Sequence, residues 1–352
     1  MISDEYSPYK IVHHQDRLDM LRQGRQPPPL QMHLELTSHC NQNCIYCCFR
    51  SQAHGFHTAP LNVTVPTAKI LETLASARDL GVKALQLAGP GEPTLHQDFR
   101  TIITTAKEYG LEIGLITNGS MLRRHSDILS DIAWVRVSMD AANAAAHAKI
   151  HSCGEHVFGE IVAGIQELVA RKGPAIVGVA WLVLQENVDS VYEGCRFYRQ
   201  LGVNNIRYSS LVADVDDPSY RELCRQGHAQ AKQGKTDFET EDFLVFNSIE
   251  TRANMIQEAL LDEFCPFKEL SCHVAVDQNV YMCCTNAYSA AGKVGTIQDK
   301  TFAQLWNSPE KQRLFSRHSP RRMCPSSCWF KEKNAFINYC LKSNPQHVNF
   351  IG

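Results

Sequence analysis

Nothing in this chain is apolar for the roughly 20 residues that a helix needs to cross a bilayer, so no membrane-spanning helix is expected. The N-terminus, Met1-Ile2-Ser3-Asp4-Glu5, has no basic segment followed by an apolar one. A secretory signal is therefore not read, and a cytoplasmic location is expected. Charge of one sign is also lacking: 35 Lys and Arg stand against 37 Asp and Glu, and the net charge is −2. That balance removes any general electrostatic case for nucleic acid or an anionic membrane as partner. Internal repeats and low-complexity tracts are absent. What remains, 352 residues with 44% hydrophobic and 20% charged side chains, has the composition of an ordinary globular protein of about two domains.

Cysteine is abundant instead. Fourteen are present, four of them at 40–48 and seven at 265–340. Disulfides would be odd without an export signal, and two separate clusters point to metal ligation. Cys153, Cys195 and Cys224 are isolated, and buried free thiols are their default reading. Cys40, Cys44 and Cys47 lie within eight residues, in His39-Cys40-Asn41-Gln42-Asn43-Cys44-Ile45-Tyr46-Cys47. Three thiolates so placed can close around one face of an iron–sulfur cubane and leave one iron open to a small molecule, which points to catalysis. A closed zinc site completed by His39 or Cys48 is the alternative reading of the same residues.

Strand and helix patterns alternate along the first two-thirds. Strands are predicted at 32–37, 84–87, 111–117, 134–139, 176–184 and 205–209. Helices are predicted at 66–80, 96–109, 155–172 and 188–201, with Gly81, Gly110, Gly173 and Gly202 as stops. This order predicts an α/β fold, a parallel sheet covered by helices, with ligands at the carboxyl ends of its strands. Residues 1–30 form an extension ending in Pro27-Pro28-Pro29. The sheet unit is expected over 31–213, a polar helical connector over 214–262, a small cysteine-rich α+β module over 263–340, and a tail over 341–352.

The Cys-x3-Cys-x2-Cys spacing, with Tyr46 before the last cysteine, resembles the signature of the radical S-adenosylmethionine superfamily. The resemblance implies a partial (β/α)6 barrel. It implies a 4Fe–4S cluster held by Cys40, Cys44 and Cys47, with S-adenosylmethionine on the open iron. Reductive cleavage would give a 5′-deoxyadenosyl radical that takes a hydrogen atom from the substrate, the cofactor carrying the hard chemistry. A one-electron donor such as a flavodoxin or ferredoxin is the implied partner. Gly89-Pro90-Gly91-Glu92-Pro93 resembles the family's Gly-Gly-Glu motif, which receives the methionyl amino group, although Pro90 separates the two glycines. Gly91 and Glu92 are the residues carried over. Tyr46, Asn118 at the end of the third strand, Ser138 and Asp140 at the end of the fourth, and Asn187 after the fifth are the other implied cofactor contacts. Asn187 reads equally well as a helix N-cap.

The stretch 272–284 reads as a β-hairpin around Asp277-Gln278-Asn279, and Cys324 and Cys328 add a Cys-x3-Cys pair. It resembles the SPASM module, or its shortened twitch form, with Gln278 where the family has glycine. Gly292–Trp306 resembles the segment that follows in that family. The resemblance implies an auxiliary 4Fe–4S cluster on Cys272, Cys283, Cys324 and Cys328, with Cys265 as a further candidate ligand; structural zinc is the alternative. The implied activity is hydrogen abstraction from a small molecule or peptide, the product radical being oxidised through the auxiliary cluster. Modification of a nucleotide or nucleic-acid base is the second reading, and a non-catalytic electron-transfer or metal-binding protein the third. An epimerisation would need a hydrogen-donating thiol, for which Cys153 and Cys224 are candidates. Asp214, Asp216 and Asp217 are candidates for the substrate mouth.

Overall fold

The computed structural model describes residues 7–50, 59–211, 217–254, 264–324 and 328–342. Asp214 and Asp216 lie outside the described residues. Strands β1 (Gln31–Leu34), β2 (Ala84–Leu87), β3 (Glu112–Thr117), β4 (Trp134–Ser138), β5 (Ile176–Val183), β6 (Asn205–Ser210) and β7 (Leu244–Asn247) follow one another in parallel. The C-terminal strands β8 (Ser271–Val274), β9 (Asn279–Tyr281) and β10 (Lys293–Thr296) join the same sheet. Its order is β10-β9-β8-β1-β2-β3-β4-β5-β6-β7. β7 and β10 are its two ends, so the barrel is partial.

Helices α1 (Gln15–Arg22), α2 (Thr67–Leu80), α3 (Phe99–Glu108), α4 (Leu122–Leu129), α5 (Ala144–His151), α6 (His156–Ala170) and α7 (Val191–Leu201) belong to the first two-thirds. α8 (Pro218–Phe238), α9 (Ile249–Asn254), α10 (Phe267–Leu270), α11 (Phe302–Trp306), α12 (Pro309–Arg317), α13 (Pro320–Met323) and α14 (Lys331–Cys340) complete the set. The local causes are ordinary. α2 buries Ile70, Thr73, Leu74 and Ala77, one face at a spacing of three to four. It ends at Gly81, whose φ of 96° suits glycine alone.

Each strand has two faces with different work. Met32, Leu34, Leu85, Leu87, Val177, Val179 and Trp181 point outward into one continuous core under the helices. The alternate residues His33, Gln86, Ile116, Ser138 and Leu182 face the barrel interior and line its cavity. Gly114 stands opposite Trp134, where a Cβ would come within 2.0 Å of the indole; only glycine leaves room for that ring.

Three expectations are corrected. The segment 214–262 is not purely helical, because β7 pairs with β6 and extends the sheet. α4 and α5, absent from the sequence reading, fill the connections after β3 and β4. The hairpin β8–β9 is present, yet it is continuous with the barrel, since β8 runs parallel to β1 with Cys272 opposite Met32. Gln278 adopts the left-handed φ of 59° that explains why glycine suits this turn.

Candidate functional site

The loop after β1 is fixed before any thiol is placed. Thr37 Oγ1 donates to the Val63 carbonyl at 3.0 Å, and Ser38 Oγ accepts from the Val63 amide at 2.8 Å. Further along, the Asn43 and Ile45 amides donate to the carbonyls of His151 and Ile150, at the end of α5. Held from both sides, Cys40, Cys44 and Cys47 are half-buried free thiols on the wall of one cavity of about 520 Å³. Desolvation raises the Cys40 and Cys47 thiols, and the Cys44 thiol next to each adds to the effect. Three free thiols on one wall of a cavity are a donor set that fits a metal cluster.

Gly91 and Glu92 sit against this loop. A Cβ on Gly91 would lie 2.4 Å from the His39 carbonyl oxygen and 2.5 Å from that of Thr37. Glycine is required there so that the Glu92 amide can donate to His39 O at 2.8 Å. Glu92 Oε1 accepts from the Thr94 amide (3.0 Å), Thr94 Oγ1 (2.6 Å) and Thr117 Oγ1 (2.8 Å). Its Oε2 accepts, among the described residues, from the Asn118 amide at 2.6 Å, which leaves it one acceptor position, and Glu92 lines the cavity. Burial pushes this carboxyl up, against those hydrogen bonds. Asn118 also lines the cavity, and its Nδ2 donates to Asn41 Oδ1 at 2.8 Å, tying β3 to the cysteine loop.

Tyr46 and Ser138 line the cavity as well. Asp140 and Asn187 do not; they brace its wall. Asp140, at a φ of 52°, accepts from Tyr46 OH at 2.6 Å and from the Leu182 amide at 2.5 Å. It also stands 3.3 Å from His151 Nε2. Asn187 Nδ2 donates to the carbonyls of Asp140 and Leu182, both at 2.8 Å, and its Oδ1 accepts from Leu184 N. No side-chain N-cap bond forms there, so the capping alternative for Asn187 is set aside. Cys153 contacts His147, and Cys224 is buried in α8; neither lines the cavity. Asp217 caps α8 through Ser219.

In the second cysteine group, Cys272 stands apart from the others. Cys265, Cys283, Cys284, Cys324 and Cys328 are electrostatic neighbours. Asn286 Nδ2 reaches both Cys283 Sγ (3.6 Å) and Cys324 Sγ (3.5 Å). Cys272 is elsewhere: fully buried in β8, it meets Gln31 O at 3.8 Å, and its charged neighbour is Lys311. Register explains the difference. His273 opposes Tyr281, so Cys272 comes opposite Met282 and shares its face, while Cys283 points to the other. Cys265, and not Cys272, is thus a neighbour of Cys283, Cys324 and Cys328.

Several cavity residues escaped the sequence reading. Glu35, His33, His273, Arg252, Cys284 and Trp329 all line it. Glu35 is 1% exposed and accepts from His273 Nε2 (2.9 Å), the Val276 amide (3.0 Å) and Tyr288 OH. Polar residues at every second position, Gln31, His33 and Glu35, were the available signal in β1. Arg252, Cys284 and Trp329 carry no such local mark.

Comparison with known proteins agrees with this geometry. The radical SAM superfamily profile matches residues 34–198, and that of the SPASM iron-sulfur cluster-binding domain matches 265–329. A "Probable GTP 3',8-cyclase" of Pyrococcus abyssi is 27% identical over 48% of this chain and 53% of its own length. The GTP 3',8-cyclase of Nautilia profundicola is 26% identical over 62% of this chain and 71% of its own. The chain thus spans about half the length of most of these curated relatives. In fold it resembles Streptococcus suis SuiB bound to its precursor peptide SuiA, with a TM-score of 0.63 at 12% identity, over 98% of this chain and 81% of that one. No helix among the described residues is long and apolar enough to cross a membrane. The chain belongs to the radical SAM superfamily of enzymes, which use a 4Fe–4S cluster and S-adenosylmethionine, and it carries a C-terminal SPASM iron–sulfur domain.

Proposed function

We propose that Cys40, Cys44 and Cys47 hold the catalytic cluster and that the cavity beside them receives S-adenosylmethionine and an organic substrate. One observation carries this reading. The three thiols, Glu92, and residues of the C-terminal module (Cys284, Thr285 and Trp329) all line the same cavity. Bound there, cluster and S-adenosylmethionine supply one-electron cleavage of the sulfonium to a 5′-deoxyadenosyl radical.

The chain's own residues bind, orient and exclude water. The remaining acceptor position of Glu92 Oε2 suits the methionyl ammonium. Ser138 offers a hydroxyl at the end of β4, and Tyr46, fixed by Asp140, supplies a rigid wall. Ala88, Pro90, Ile116, Leu182 and Leu211 make much of the lining apolar, which keeps water from the reacting carbon. Cys265, Cys283, Cys324 and Cys328 would hold one auxiliary cluster, which supplies an acceptor for an electron. A hydrogen-donating thiol at Cys153 or Cys224 is not supported, because neither lines the cavity.

The substrate is a small molecule or peptide. A nucleotide is the second reading, favoured by the activity named for the Nautilia relative. The experiment is anaerobic reduction with S-adenosylmethionine and assay of 5′-deoxyadenosine. Formation by wild type and not by C40A/C44A/C47A supports the reading. Equal formation by both overturns it.

A further inference from the structure

Part of the cavity wall is formed by Ser210 at the end of β6, Leu211 after it, Arg252 from α9 and Trp329. Arg252 is unusual there. Its guanidinium carbon lies 4.1 Å over the Trp329 ring, and its Nε is buried without a hydrogen-bond partner among the described residues. Its electrostatic neighbours are Arg207, Arg136 and the Tyr220 hydroxyl; no carboxylate acts on it among the described residues. Desolvation and the two arginines bring its pKa down to about 9.

The register puts Arg136 and Arg207 on the side of the sheet that faces the cavity, behind the residues that line it. Ser138, which lines the cavity, pairs with Ala180, and Ala180 pairs with Arg207. Arg136 is two residues before Ser138, on the same strand face, and pairs with Gly178. Between the two arginines, on β5, stand Gly178, over which the Asn205 side chain packs, and Ala180. Lys333 of α14 adds positive potential, since it acts on both His33 and Arg207. Glu35 serves another wall, where His273, Val276 and Tyr288 already occupy it.

Taking a guanidinium out of water is unfavourable unless an anion compensates it. A positive wall on a ligand cavity has its counter-ion when the ligand arrives. We propose that this wall binds an anionic group of the substrate, a phosphate or a carboxylate, with Arg252 as its principal donor and Arg136 and Arg207 supplying field. The proposal rests on the reading of this cavity as the substrate site. An arginine fork suits either oxyanion, since both present paired oxygens.

The test uses the full-length reconstituted protein with S-adenosylmethionine present. Pyrophosphate and glutarate are titrated separately by calorimetry into wild type, R252Q and R252K, with iron content and circular dichroism as checks on folding. At least one anion is expected to bind wild type. R252Q should weaken it by about tenfold or more, R252K by less, and added salt should weaken wild type. Binding of pyrophosphate alone assigns a phosphate, and of glutarate alone a carboxylate. Failure of both to bind, or equal binding by wild type and R252Q, overturns the proposal. 5′-Deoxyadenosine formation is read in the same samples without either anion, so failure of the cavity's catalytic role would show separately.

Discussion

Changing Gly91 to alanine should remove the metal site while leaving most of the barrel intact. The added Cβ would lie 2.4 Å from His39 O, 2.5 Å from Thr37 O and 2.6 Å from Ser38 C. All three are backbone atoms, so no side-chain rotation relieves the clash. The loop carrying Cys40 must move away from β2, and the 2.8 Å bond from Glu92 N to His39 O is lost. Overpacking of this kind costs about 1–3 kcal/mol, and the lost buried hydrogen bond about 1 more, giving about 2–4 kcal/mol in all. Gly110 is the control. Its φ is +72°, and a Cβ there meets nothing within 4 Å. G110A pays only left-handed strain, about 1–2 kcal/mol. Urea unfolding should show a lower midpoint at unchanged slope for both variants. Only G91A should also lose iron from the first site and its S-adenosylmethionine-dependent 5′-deoxyadenosine. A G91A protein with wild-type iron and turnover would refute the close-approach argument.

Other predictions follow from the two cysteine groups and the barrel interior. C265S should lose about four irons and C272S none, by iron analysis after anaerobic reconstitution; the reverse would restore Cys272 as ligand. His33 gives a pH signature. Desolvation first, then His273 and Lys333, push its pKa from 6.5 down to about 3. Its ring accepts from Gln31 Nε2 at 3.0 Å, as a neutral imidazole does. The unfolded chain then takes up the proton first, so stability is present above about pH 6.5 and is lost as pH falls toward 3. Relative to H33Q, wild type should lose up to about 1.4 kcal/mol per pH unit between about pH 6 and 4. Parallel urea-midpoint profiles for the two proteins would contradict this.

The sequence made local features legible and hid those created by assembly. The parallel alternation was visible because β2, β3 and β5 are bounded by glycine or asparagine stops and flanked by long amphipathic helices. α4 and α5 were missed because eight residues are two turns, too short for helical periodicity to stand out. β7 was missed because four residues in a polar stretch carry little strand signal, and pairing with β6 settles its state. Three thiols in one loop needed no tertiary information. Separating Cys272 from Cys283 did, because the pairing register across the hairpin decides which face Cys272 takes. Asp140 and Asn187 were read as cofactor contacts from their places at strand ends. Their side chains tie β4 to the end of β5. Arg252 could not be found from sequence at all, since only the folded chain brings α9 beside Trp329.

The central claim is that two separate cysteine groups, Cys40/Cys44/Cys47 and Cys265/Cys283/Cys324/Cys328, each hold one cluster beside a shared cavity. Iron and sulfide counted after anaerobic reconstitution test it most directly. Wild type should carry about eight irons and eight sulfides, and each variant with one group changed to alanine about four of each. A variant lacking either group that still carries the wild-type count would contradict the account.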